Sequence, residues 1–184
     1  MYAADLVFHN AYGPDKPWFR DPVLSGGGCV IDLGTHLVDL ALHLLGTPEV
    51  EHVTSRLYAQ GRPLGDRTDV VEDYATARID LAAGTTLTLA CSWNLHAGQE
   101  AVIGASFYGS GGAVALSNVG GSFYDFRAAR HSGTSSTVLV EPPDDWGGRA
   151  AVAWTRRLAA GEGFDAEAEE LLTTATVLDR VYGR

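Results

Sequence analysis

Residues 29–45, Cys-Val-Ile-Asp-Leu-Gly-Thr-His-Leu-Val-Asp-Leu-Ala-Leu-His-Leu-Leu, leave this chain few ways to fold. Wound at about 100° per residue, the segment is apolar around most of its circumference, with Val30, Ile31, Leu33, Leu37, Val38, Leu40, Ala41, Leu44 and Leu45 on the arc. A surface helix needs only one covered stripe, so this one must be mostly buried against a broad apolar partner. Cys29 reads as part of that core. Gly46-Thr47-Pro48 carries the glycine and proline that stop a helix.

The rest of the chain supplies a sheet as that partner. Residues 3–9 read as a strand, and 11–25, with three of the seven prolines, as an irregular loop. Strand-like runs follow near 50–59, 70–81 and 85–94, the last two joined at Ala82-Ala83-Gly84 as a hairpin. Further strands are expected near 101–108, 113–117, 122–129 and 136–140, with Gly109-Ser110-Gly111-Gly112 as a turn. Helical periodicity returns over 148–160 and 165–182, separated by Gly161-Glu162-Gly163. This order implies an α+β fold: an open, predominantly antiparallel β-sheet with helices packed on one face. At 184 residues, one domain spanning 1–184 is expected. Thr86, Thr88, Ala90 and Ser92 make the other sheet face small and mildly polar, which fits a homodimer packed through that open face.

Charge and composition exclude several function classes. The net charge of -10 disfavours nucleic acid and anionic membranes, which need a basic surface. No stretch has the length of a membrane span and no signal-peptide pattern opens the sequence, so a cytoplasmic location is expected. Two cysteines, Cys29 and Cys91, are too few for a disulfide framework.

On the helix, Asp32, His36, Asp39 and His43 fall within roughly 60° of one another if the winding is uniform. Wet helix faces usually carry Lys, Glu, Arg or Gln; Asp and His are poorer helix formers, so something other than helix stability selects them. An Asp four residues before a His can reach the imidazole and set its tautomer and basicity, which suits a general acid or base. A solvated stripe and a metal site are the competing readings; the seven-residue spacing of His36 and His43 departs from the usual metalloprotease helix. Gly34 lies on the opposite side, where it costs about 1 kcal/mol relative to Ala and permits close packing on a sheet. Gly26-Gly27-Gly28 ahead of the helix lets backbone pass close to a neighbour, and helix N-termini attract anions; a flexible turn explains the run equally well.

The string Ser25-Gly26-Gly27-Gly28 followed by Asp32-Leu33-Gly34-Thr35-His36-Leu37-Val38-Asp39 resembles the G-G-G-x-x-x-D-x-G-x-H-x-x-D signature of the C-terminal domain of the Gfo/Idh/MocA oxidoreductase family. The resemblance extends to Val71-Glu72-Asp73-Tyr74-Ala75, Ser92-Trp93, Phe107-Tyr108-Gly109-Ser110-Gly111-Gly112 and Val177-Leu178-Asp179-Arg180-Val181-Tyr182. It implies that Asp32 and His36 are an acid/base pair. In that role His36 takes the proton of a sugar or polyol hydroxyl, Asp32 orients it or contacts substrate, and Asp39 supports the helix. It also implies an N-terminal Rossmann domain binding NAD(P), and no G-x-G-x-x-G that follows a strand and opens a helix occurs in this sequence. The chain by itself is therefore expected to bind no cofactor and no metal, and to take part in NAD(P) chemistry only if completed by a Rossmann domain, either because it is a fragment of a longer protein or through a separate nucleotide-binding chain. Asp15-Lys16-Pro17 is similar to the family's Glu-Lys-Pro tripeptide but stands where the family has no catalytic lysine. Lys16, Trp18, Asp39 and Trp93 are the candidate substrate-binding residues, and Asn94, Arg127 and His131 have side chains that also suit a sugar. Three functions follow: the substrate-binding and catalytic half of an NAD(P)-dependent sugar or polyol oxidoreductase, a cofactor-free sugar-binding or dimerisation module, and metal-dependent lyase or isomerase chemistry on the Asp/His stripe.

Overall fold

The computed structural model describes residues 1–163 and 166–184. Strands β1 (Ala3–Asn10), β2 (Val50–Ala59), β3 (Arg62–Pro63), β4 (Tyr74–Leu81), β5 (Thr86–Ser92), β6 (Ala101–Gly109), β7 (Gly112–Asn118), β8 (Phe126–Ser132) and β9 (Ser135–Val140) form one sheet. Their order is β3-β2-β4-β5-β1-β6-β7-β8-β9. β1 lies parallel to β5, with Leu6 opposite Leu89, and antiparallel to β6, with Leu6 opposite Ala105. The other neighbouring pairs are antiparallel. The α+β expectation is therefore met.

Alternation along the strands sorts the two faces. Ala4, Leu6, Ile79, Leu87, Leu89 and Cys91 are buried on one side, while Asp5, Arg78 and Thr88 point to the other. The apolar side is covered by helix α2 (Thr35–Leu44), the wide turn Val30–Gly34 that leads into it, and α4 (Glu170–Tyr182). Val38, Leu42, Val177 and Val181 are almost wholly buried there. Polar ties fasten α4 to β2: Ser55 Oγ donates to the Val181 carbonyl at 2.6 Å and Arg180 Nη1 to the Val50 carbonyl at 2.6 Å. The expected helix over 165–182 begins partly outside the described residues.

Two expected strands start late for visible reasons. In 70–73, the carboxylate and carbonyl of Glu72 are taken up by the amides of Gly28, Val30 and Cys29, so β4 begins at Tyr74. In 122–125, Ser122 Oγ accepts from the Tyr124 and Asp125 amides at 3.1 Å each, a local turn that competes with a strand. The loop 11–25 holds a tight helical turn at Pro17–Arg20 and a short helix α1 (Pro22–Ser25), whose first amides are capped by Asp21. β7–β9 extend beyond the helical layer, and neither β9 nor α3 (Arg149–Ala159) contains a buried residue. No helix among the described residues is long and apolar enough to cross a membrane.

Candidate active site

The buried helix does not wind uniformly. Val30–Gly34 form a π turn, closed by the Thr35 amide donating to the Val30 carbonyl five residues back. Such a turn holds one residue more than an α turn, so everything after it trails by about 100° from where an uninterrupted helix would carry it. The expected single stripe is broken by this insertion. Asp39 turns toward α4, where Thr174 Oγ1 donates to its Oδ1 at 3.1 Å, and His43 Nδ1 sits 3.3 Å from Glu170 Oε2. Ile31, inside the turn, and Leu44, at the end of the helix, both expected in the core, are exposed.

At the other end, among the described residues, the partner of Asp32 is Trp93 rather than His36. Trp93 Nε1 donates to Asp32 Oδ2 at 2.8 Å. The indole is buried, and the edge of Phe19 meets it with ring centroids 6.5 Å apart. Trp18 stacks on Phe19 at 3.9 Å and remains half exposed. Loop 17–20 is thereby laid over Trp93, and Trp18, Phe19, Trp93 and Asp32 form one connected row. His36 is exposed one turn further on, with Phe8 of β1 tilted against it at 6.4 Å. The structure thus brings together Asp32, Trp93 and Trp18, sets His36 beside them, and separates Asp39 and His43. Lys16 is exposed, its Nζ held by Asp15 Oδ2 at 2.7 Å. Asn94 is exposed next to Trp93, whereas Arg127 and His131 stand on β8, three strands from β1.

The anion at the helix N-terminus is the protein's own. The Gly28 amide donates to both oxygens of Glu72, at 2.9 and 3.0 Å, and the Val30 amide to Oε1 at 2.9 Å. The Cys29 amide donates to the Glu72 carbonyl at 3.1 Å, and Tyr182 Oη donates to Oε1 at 2.7 Å. Burial, together with this neighbouring carboxyl, pushes the Tyr182 phenol above its usual range. The glycines make room for the arrangement: a Cβ on Gly28 would lie 1.8 Å from the Glu72 carbonyl oxygen, and one on Gly27 2.1 Å from Tyr182 Oη. Neither Glu72 nor Tyr182 was singled out by composition or spacing, because each lies more than forty residues from the helix start it contacts. The signal that could have found Glu72 is its place in Val71-Glu72-Asp73-Tyr74-Ala75, one of the stretches that carry the family resemblance.

These residues do not fit a dinucleotide. The helix-start amides are occupied by Glu72, and Gly109-Ser110-Gly111-Gly112 turns between β6 and β7 instead of opening a helix. The four polar residues of the expected stripe likewise diverge to Trp93, Phe8, Thr174 and Glu170, so they do not converge on a single ion.

Residues 1–115 match the family model described as the GFO/IDH/MocA C-terminal domain, and the chain belongs to that family. D-glucoside 3-dehydrogenase of Escherichia coli (strain K12) is 30% identical over 107 residues, which is 53% of this chain and 30% of that protein. Among solved structures, levoglucosan dehydrogenase in complex with NADH is similar at a TM-score of 0.75 and 17% identity, over 99% of this chain and 55% of that one. A 3-ketoreductase from Actinomadura kijaniata, in complex with NADP and TDP-benzene, gives 0.73 and 18%, over 98% and 53%. The chain spans about half the length of the solved relatives it matches.

Proposed function

We propose that the chain is the substrate-binding and catalytic half of an NAD(P)-dependent sugar or polyol oxidoreductase, acting as one unit over 1–184 and not competent for hydride transfer alone. The observation that carries this reading is the Asp32 carboxylate anchored by Trp93 beside an exposed His36. With Oδ2 committed to the indole, Oδ1 is left to accept from a sugar hydroxyl, and the His36 imidazole takes the hydroxyl proton. Trp18 offers an aromatic face to the ring and Lys16 a cation beside it, while Trp93 acts on the ligand through Asp32 and Asp39 steadies the helix through Thr174. The nicotinamide would come from a nucleotide-binding domain, on the same polypeptide or on a separate chain. Names of the relatives support the class of chemistry: a glucoside dehydrogenase, a levoglucosan dehydrogenase and a ketoreductase. Two buried free thiols suit the reducing cytoplasm.

The bare sheet face favours a homodimer within this reading, and also supports a second one, a cofactor-free sugar-binding or dimerisation module. A shallow depression of about 660 Å³ on that face is lined by Asp5, Val7, Arg56, Arg78, Thr88 and Ala90, so acidic and basic groups of two copies can meet. Light scattering showing a monomer at micromolar concentration removes the dimer.

The deciding experiment supplies a nucleotide-binding unit, NAD(P) and a polyol, and compares the parent chain with His36→Ala. Loss of the base is expected to cost about 10²- to 10⁴-fold in rate. An unchanged rate overturns the role of His36. NADH binding at micromolar strength by the chain alone overturns the half-site reading, and polyol binding with no activity in any combination selects the binding module.

A further inference from the structure

Helix α1 shows what an ordinary helix start uses here: its cap, Asp21, is the adjacent residue and is exposed to water. The helix bearing Asp32 uses instead a carboxylate more than forty residues away and 1% exposed, an arrangement that costs desolvation a local cap would avoid. What the distal group adds is registration. Glu72 takes up three consecutive helix-start amides, those of Gly28 and Val30 on its carboxylate and that of Cys29 on its carbonyl. The next residue, Asp73, accepts at its carbonyl from the Trp93 amide at 2.8 Å. Trp93 in turn donates its indole N–H to Asp32, two residues beyond Val30.

These bonds close a ring that runs Asp32, Trp93, Asp73, Glu72, Val30 and back to Asp32. Two adjacent residues therefore set both sides of one hydrogen bond: Glu72 places the helix that carries the carboxylate, and Asp73 places the backbone that carries its donor. The circuit has a further tie to α4, since Tyr182 Oη donates to Glu72 at 2.7 Å and Arg184 Nη2 donates to the Gly26 carbonyl at 2.8 Å. We propose that Glu72 is a positioning residue for the Asp32 site, holding the π turn in register with Trp93, and that Tyr182 shares this role from α4. The inference rests on the reading of Asp32 as a working group given above, and its test does not depend on that reading.

The test uses the whole chain and nuclear magnetic resonance. The Trp93 indole N–H signal, assigned with Trp93→Phe, reports its bond to Asp32, and hydrogen exchange at Gly28, Cys29 and Val30 reports the helix start. In Glu72→Gln the carboxylate is lost at nearly constant volume. The expected result is a displaced Trp93 indole resonance and exchange at the three amides faster by about tenfold or more, with exchange in β4 and β5 changing less. Tyr182→Phe, which removes a single donor, should move the same signals in the same direction by less, and decides the matter if Glu72→Gln does not fold. A Trp93 indole resonance that coincides with the parent's in the folded variant, whatever happens to stability, makes Glu72 a simple cap and overturns the proposal. A sugar or polyol that perturbs neither Trp93 nor His36 counts against the assigned function and leaves this result untouched.

Discussion

Gly28→Ala should be among the most damaging small substitutions in the chain. The added Cβ meets the Glu72 carbonyl oxygen at 1.8 Å, its carbon at 2.8 Å and its nitrogen at 3.0 Å, all backbone atoms that no rotamer change can clear. Restoring ordinary contact requires the two segments to part by roughly 1.5 Å, beyond the reach of the Gly28, Cys29 and Val30 hydrogen bonds to Glu72. Three such bonds at about 1 kcal/mol each, and somewhat more where the acceptor is a carboxylate, give a loss of roughly 3–5 kcal/mol. For a chain of this size each kcal/mol moves the midpoint by about 2–4 °C, so the fall is on the order of 10 °C. Gly34→Ala is the internal control. Its Cβ would stand 3.4 Å from Cys91 Sγ and Leu89 Cδ2, ordinary contact, and the gain in helix propensity of about 1 kcal/mol offsets any crowding. Urea unfolding followed by far-ultraviolet circular dichroism measures both. The reasoning is refuted if Gly28→Ala loses less than about 1 kcal/mol, or if Gly34→Ala loses as much as Gly28→Ala.

Two other outcomes follow from burial. Burial pushes the His9 imidazole, bonded to Ser92 Oγ at 2.7 Å and stacked on Tyr74, below its usual value of 6.5. The unfolded chain then binds the proton more readily, so this contribution to stability is complete above pH 6.5 and is lost as pH falls toward the folded-state value. Unfolding titrations between about pH 5 and 7.5 should show that slope in the parent and a shallower one in His9→Gln; equal slopes would exclude His9 as the source. The Cys29 and Cys91 thiols, 3.9 Å apart and buried, with that of Cys29 pushed well above the usual thiol range by burial, should react with iodoacetamide only as fast as the protein unfolds. Rapid modification of the folded chain would contradict their placement.

What could be seen in the sequence was what depends on near neighbours. The apolar arc of residues 30–45 required a sheet, the turn at Ala82-Ala83-Gly84 joined β4 to β5, and the order of elements gave the fold class. Gly34 packs on the sheet as its position on the helix implied, although the contacts leave space for a methyl group. The π turn was not visible, because uniform 100° winding has no place for a five-residue closure, and the carboxylate bound at the helix start, Glu72, lies more than forty residues away. Asp39 and His43, beyond the extra residue, meet α4, while Asp32 within the turn meets Trp93. Lys16 and Trp18 could be picked out by residue type, but only the stack of Trp18 on Phe19 shows which of the two is fixed beside Trp93.

The place of β1 in the sheet has a consequence for synthesis. Ala3 pairs with Thr86 on one side and Tyr108 on the other, so the central strand of the sheet has no neighbour until most of the sheet's first half has been made. Such long-range closure makes for slow folding, and during translation it leaves an apolar ribbon with bare edges, the kind of segment a chaperone would shelter.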